Sequence, residues 1–135
     1  MTDKDYKISC GCGSVTFEMS GKPKVHAHCH CEDCRDLLNI PYHSVVAWEA
    51  ENLKITYGEE YVGIYEHPTL KMTRVFCTNC GETIYNTNAL DWKVTSQHLI
   101  RKNYDDVLPE EFEPTAHFYY SERIIDIDDD LPKGT

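Results

Sequence analysis

Seven cysteines in 135 residues fall into three tight clusters, Cys10-Gly11-Cys12, Cys29-His30-Cys31-Glu32-Asp33-Cys34 and Cys77-Thr78-Asn79-Cys80. Thiolates that converge within a few ångströms bind soft metals, and CxC and CxxC spacings deliver such pairs from a single short turn. The spacings point to zinc, two ions per chain. A structural zinc takes four protein ligands, whereas a catalytic zinc takes three and leaves its fourth position to water or substrate, so seven ligands divide into four plus three.

The run Cys77 to Gly81 reads as a zinc knuckle: it follows the strand-like Val75-Phe76, and Gly81 can adopt the positive φ that turns backbone amides towards the sulfurs. A knuckle supplies two ligands and needs a second pair, for which Cys10/Cys12 and Cys31/Cys34 both qualify by spacing. Pairing Cys31/Cys34 with Cys77/Cys80 makes a zinc ribbon but strands Cys10, Cys12 and Cys29. The other pairing leaves Cys29, Cys31 and Cys34 as a compact local trio and is the more economical. If residues 25–31 are extended, Cys29 and Cys31 face one side and His26, His28 and His30 the other. His30 then points away from the sulfurs, as surface or sheet-packing histidines do; the less favoured alternative is that its neutral imidazole supplies a fourth ligand or hydrogen-bonds beside the sulfurs. Arg35, directly after Cys34, is the best placed positive charge, and Arg74 precedes Cys77.

These clusters need elements to hold them. Period-two patterns dominate: Val15, Phe17 and Met19 alternate with polar residues, as do Leu53, Ile55 and Tyr57. Further strands are expected at 44–49, 61–65, 71–76, 83–86 and 115–120, all rich in β-branched or aromatic residues. Helix is scarce: about two turns at 33–39 before Pro41, and one at 104–108 before Pro109. The expected class is mainly β, with one or two short helices and metal at the junctions between sheets. With no repeat or linker, residues 1–135 read as a single zinc-binding domain.

Acids outnumber bases 23 to 13, a formal net charge of −10, and no basic stripe appears. Such a field repels phosphate backbones, so nucleic acid is not expected as a partner. No apolar run is long enough to span a bilayer, so no membrane association is expected either. The opening Met1-Thr2-Asp3-Lys4-Asp5-Tyr6 has no apolar signal region and the cysteine count is odd, which point to a reducing, cytoplasmic setting.

In order and spacing, Cys10-Gly11-Cys12-Gly13-Ser14-Val15, His28-Cys29-His30-Cys31-Glu32-Asp33-Cys34-Arg35 and Phe76-Cys77-Thr78-Asn79-Cys80-Gly81 resemble the glutathione-dependent formaldehyde-activating enzyme family. Its domain also occurs in centromere protein V. The resemblance covers roughly residues 8–120 and implies a zinc-stabilised β-tent of several antiparallel sheets. It implies a structural zinc on Cys10, Cys12, Cys77 and Cys80 and a catalytic zinc on Cys29, Cys31 and Cys34. It also implies a carbon-sulfur lyase that joins a small thiol such as glutathione to a small aldehyde such as formaldehyde, or cleaves the adduct. The competing expectation is a non-catalytic zinc-binding scaffold, since structural zinc alone contributes about 10–16 kcal/mol to zinc-peptide folding.

Overall fold

The computed structural model describes residues 5–135. Strand β1 (Asp5–Ser9) and strand β2 (Thr16–Ser20) form a hairpin whose loop carries Cys10 and Cys12. Tyr6 and Ile8 of β1 and Phe17 and Met19 of β2 are buried, while Lys7 is exposed, as a half-buried alternation requires. Strand β3 (Val25–Cys29) runs into helix α1 (Glu32–Leu38), and the chain returns as β4 (His43–Trp48) antiparallel to β3. Next, β5 (Leu53–Tyr57) pairs with β2 and completes a sheet of order β1-β2-β5.

The remaining strands are β6 (Val62–Glu66), β7 (Thr73–Cys77), β8 (Thr83–Thr87) and β9 (Lys93–Ser96), followed by helix α2 (Gln97–Lys102) and the two-residue β10 (His117–Phe118). With β3 and β4 they form a second sheet of order β10-β3-β4-β9-β8-β7-β6. Every pairing is antiparallel except that of β10 with β3. The chain is therefore mainly β, ten strands in two sheets with two α-helices among the described residues. No helix there is long and apolar enough to cross a membrane.

Both faces of β4 are buried. Val46 and Trp48 join Phe17, Leu53, Ile84 and Phe112 in the core shared by the two sheets. Val45 and Ala47 point the other way, into a small cluster with Cys29 and Val94, against which Val25, Trp92, Cys31 and Cys34 pack. The period of two in Val45-Val46-Ala47-Trp48 thus sends one set of side chains to the core and the other towards the cysteine trio.

Three expectations need correction. No helix forms at 104–108; the helix of this region, α2, begins about two turns upstream, where Ser96 caps its N-terminus by accepting from the His98 amide. Asp105 and Asp106 have φ of 53° and 65° and so cannot continue a right-handed helix. The strand expected at 115–120 is reduced to His117 and Phe118, since Tyr119 turns into the left-handed region at φ 55° and ψ 39°. Strand β1 was not foreseen. Its short alternation, Tyr6 and Ile8 between charged and polar residues, was the available signal.

Candidate functional site

Two turns of like construction face one another. In the first, the Cys10 amide donates to Val15 O at 3.0 Å and the Gly13 amide to Cys10 O at 2.9 Å. In the second, Cys77 donates to Glu82 O at 2.9 Å and Gly81 to Cys77 O at 2.7 Å. Gly13 and Gly81 hold φ of 78° and 79°, a conformation that costs glycine little. The turns are clasped across the gap: Glu82 accepts from the Gly11 amide at 2.6 Å, and Asn79 Nδ2 donates to Cys12 Sγ at 3.3 Å and Ser14 Oγ at 3.1 Å. Gly58 lets the first turn pack closely, because a Cβ there would lie 1.7 Å from Ser14 O.

This clasp brings together the sulfurs of Cys10, Cys12, Cys77 and Cys80, all within 4.8 Å of one another. Cys10–Cys12 and Cys12–Cys77 are both 3.7 Å apart. A disulfide would bring two sulfurs to about 2.05 Å, whereas a tetrahedron built on zinc–sulfur bonds of ~2.3 Å has edges of about 3.8 Å. The donor set fits zinc. The Ser14 hydroxyl, 3.2 Å from Cys12 Sγ, and the Asn79 amide pull the Cys12 thiol down to about 5, as suits a thiolate ligand.

The second group is local. Cys29 ends β3, Cys31 is the N-cap of α1 and Cys34 lies in its first turn, with the Cys34 amide donating to Cys31 Sγ at 3.3 Å. Their sulfurs also lie within 4.8 Å of one another, Cys29–Cys31 at 3.4 Å and Cys29–Cys34 at 3.8 Å. These spacings again fit zinc edges. Hydrogen bonds from Cys29 and Cys34 pull Cys31 down to about 3, while hydrogen bonds to Cys29 and Cys31, with burial, push the Cys34 thiol up. No His, Asp or Glu joins either group among the described residues.

The histidines beside the trio are not surface residues. His30 is fully buried, stacked on Tyr42 at 5.0 Å with Tyr120 edge-on at 5.0 Å. Its Nε2 lies 2.9 Å from His117 Nδ1; His117 Nε2 is 2.8 Å from Asp129, which Lys133 holds at 2.7 Å. With Asp129 ionised, His117 carries its proton on Nε2 and His30 donates through its own Nε2. The His30 amide also donates to Phe118 O at 2.9 Å, so the peptide between Cys29 and Cys31 is anchored from the C-terminal segment. Sequence spacing gave no sign of this, since the partners lie 87 residues away. His43, opposite Cys29 in register, is buried with Nε2 unpartnered, and burial pushes it down to about 4, leaving it neutral near pH 7.

Neither expected arginine serves the trio's approach. Arg35 donates to the backbone oxygens of His30 at 3.4 Å and Glu122 at 2.8 Å, and Arg74 lies over the rings of Tyr65 and Phe76. A cavity of about 280 Å³ opens on Cys29 and Cys34 and is lined by Val25, Met72, Leu90, Trp92 and Tyr119 among others. Asn88 shapes its lip by accepting from the Leu90 and Trp92 amides at 3.0 and 3.1 Å.

A β fold that converges one sulfur quartet and one sulfur trio defines a class of cysteine-rich proteins whose clusters could hold metal ions, the second centre carrying a cavity at its side. The chain belongs to the glutathione-dependent formaldehyde-activating enzyme family, whose sequence profile matches residues 5–122. It is 30% identical over 82 residues to a Schizosaccharomyces pombe protein named as an uncharacterized lyase, an alignment covering 60% of this chain and 56% of that one. The chain thus spans about half the length of this curated relative. It also resembles a crystal structure of a Rhodobacter sphaeroides protein, with a TM-score of 0.55 and 19% identity over 69% of this chain and 85% of the other, a likeness of fold.

Proposed function

We propose that the chain is a zinc-dependent carbon-sulfur lyase that forms or cleaves the adduct of a small thiol with a small aldehyde. Cys10, Cys12, Cys77 and Cys80 hold a structural zinc, and Cys29, Cys31 and Cys34 a catalytic one. The observation that carries this reading is the three-sulfur centre with no fourth side-chain donor among the described residues, beside an open cavity. Family membership supports the thiol and aldehyde classes, glutathione and formaldehyde among them, and the relative named as a lyase supports the reaction type.

When bound at the trio, zinc supplies Lewis-acid chemistry, lowering the pKa of an incoming thiol and favouring its thiolate. The chain's own residues do the rest. The Cys34 amide and the β3–α1 turn fix the three donors, and the His30–His117–Asp129 chain fixes the peptide that carries them. Leu90, Trp92 and Tyr119 wall the cavity beside the reacting groups. In the forward direction sulfur bonds to the carbonyl carbon, the C=O π pair becomes a hydroxyl, and the thiol proton ends on that oxygen. Thiolates add to aldehydes readily, so orientation is the main demand on the protein.

Native mass spectrometry combined with NMR exchange between thiol, aldehyde and adduct tests the proposal. Two zincs in the wild type, one in Cys31→Ser, and exchange accelerated only by the wild type are expected. A wild type with one zinc, or equal exchange with and without protein, overturns it.

A further inference from the structure

Apart from the sulfurs of the trio itself, the wall of the cavity beside it contains no Asp, Glu, Lys, Arg or His among the described residues. Val25, Ala47, Met72, Leu90, Trp92 and Phe118 make it apolar, and Tyr119 closes one side from its left-handed backbone position. A non-glycine residue held at positive φ is uncommon outside sites where the surroundings dictate it. A contiguous cavity shares Cys29, Cys34, Met72 and Tyr119 with the first, and its charged lining is Glu32, Asp33 and Glu122 against Lys71 alone. Arg35 does not offset these acids but is turned onto the backbone oxygens of His30 and Glu122. An anionic peptide thiol thus meets net negative charge at one cavity and, at the other, a wall that offers it no positive side chain among the described residues.

One polar group in the apolar wall is unsatisfied. Asn86 is 1% exposed; its Nδ2 donates to Thr87 O at 3.1 Å, and its Oδ1 has no donor. That hydrogen bond orients the amide and leaves the oxygen as the free end. A buried acceptor without a protein donor is costly, and a ligand hydroxyl or amine reaching it would satisfy it.

We propose that the adduct handled at the trio is uncharged, that its sulfur carries an apolar aromatic or branched aliphatic group filling this cavity, and that its hydroxyl donates to Asn86 Oδ1. The proposal rests on the carbon-sulfur reading above and names its substrate class. A cavity of about 280 Å³ has room for one ring and a few further atoms, since about 150 Å³ suffices for benzene. In the cleavage direction the carbon-sulfur bond breaks with its electron pair on sulfur, and the hydroxyl oxygen re-forms the carbonyl. The hydroxyl proton passes to sulfur, giving one thiol and one aldehyde with no change of oxidation state.

The test uses the full chain in two measurements. Titration of 2-(benzylthio)ethanol, an uncleavable analogue, is followed by tryptophan fluorescence and compared with S-(2-hydroxyethyl)glutathione. Turnover is compared for the formaldehyde adducts of phenylmethanethiol and glutathione. The benzyl analogue is expected to bind about 30-fold more tightly, the gain from burying one aromatic ring. Its adduct should show the higher kcat/KM by a similar factor. Leu90→Lys, at a position 64% exposed and so tolerant of change, should narrow that preference. Asn86→Ala should weaken the benzyl alcohol analogue but leave benzyl ethyl sulfide, which has no hydroxyl, unchanged.

Equal or better binding and turnover of the glutathione compounds overturns the inference while leaving the carbon-sulfur reading intact. Binding of the benzyl analogue without turnover of any adduct sustains the ligand class and overturns the reaction. Failure of the benzyl analogue to bind the folded wild type overturns the inference outright.

Discussion

Replacing Cys77 by serine should abolish the fold, whereas the same replacement at Cys31 should not. Cys77 is fully buried, belongs to the main core, and joins the β1–β2 loop to the β7–β8 turn across 65 residues of chain. A structural zinc contributes about 10–16 kcal/mol in zinc-finger peptides, comparable with the ~5–15 kcal/mol that hold a whole domain together. Losing one of four thiolates from such a site, and leaving a hydroxyl in the core at about 1–3 kcal/mol, exceeds what the remaining packing supplies. Cys31 differs in both respects. Its trio closes only residues 29–34, and its sulfur acts as the α1 N-cap, a position serine fills well. A loss of about 1–3 kcal/mol is expected there, roughly 3–10 °C in Tm for a chain of this size. Circular dichroism melts paired with zinc counts by native mass spectrometry read both effects. Equal collapse of the two variants, or a Cys77→Ser protein that melts like the wild type, refutes the assignment of one centre to folding and the other to chemistry.

Gly58→Ala should destabilise the chain by at least ~2–3 kcal/mol, because φ is 82° there and the new Cβ would meet Ser14 O; denaturant unfolding with unchanged m checks it. His43 gives a pH dependence of defined sign. Its folded pKa of about 4 lies below the unfolded value near 6.5, so its contribution is present above pH 6.5 and is lost as pH falls. Between pH 7 and pH 5 the wild type should lose about 2 kcal/mol more than His43→Gln, measured by urea unfolding at both pH values. Asp129→Asn removes the charge that orients His117. Hydrogen exchange at the His117 and Tyr120 amides, which donate to Pro132 O and Gly134 O, should then quicken relative to the β4 amides.

Both cysteine groupings follow from spacing, because CxC and CxxC pairs are built by single turns whose geometry is local. The alternation in β2 was equally plain, Phe17 and Met19 being fully buried, whereas in β5 it holds for Leu53 but not for Tyr57, which the structure exposes at the strand's end. What spacing could not reveal is long range. Residues 117–134 return to His28 and His30 through the parallel β10 pairing and a histidine chain, and nothing in the pattern of His26-Ala27-His28 announces a partner at His117. The same holds for charge: Arg35 follows Cys34 directly, yet the carbonyls of His30 and Glu122 take its guanidinium. Asn86 reads as one polar residue in a strand, and only the fold shows that its amide oxygen lacks a donor.

The unequal spans of the two sulfur centres have a consequence for how the protein is made. The trio is complete once residue 34 has been synthesised, but Cys10 and Cys12 must wait for partners some 65 residues further on. At about 5–20 residues per second, that is a delay of roughly 3–13 s. On the two-zinc reading, the nascent chain carries a loaded trio while its first dithiol is still open to oxidation or to a mismatched ion. Maturation, rather than the finished fold, is then the stage most exposed to zinc scarcity and oxidants.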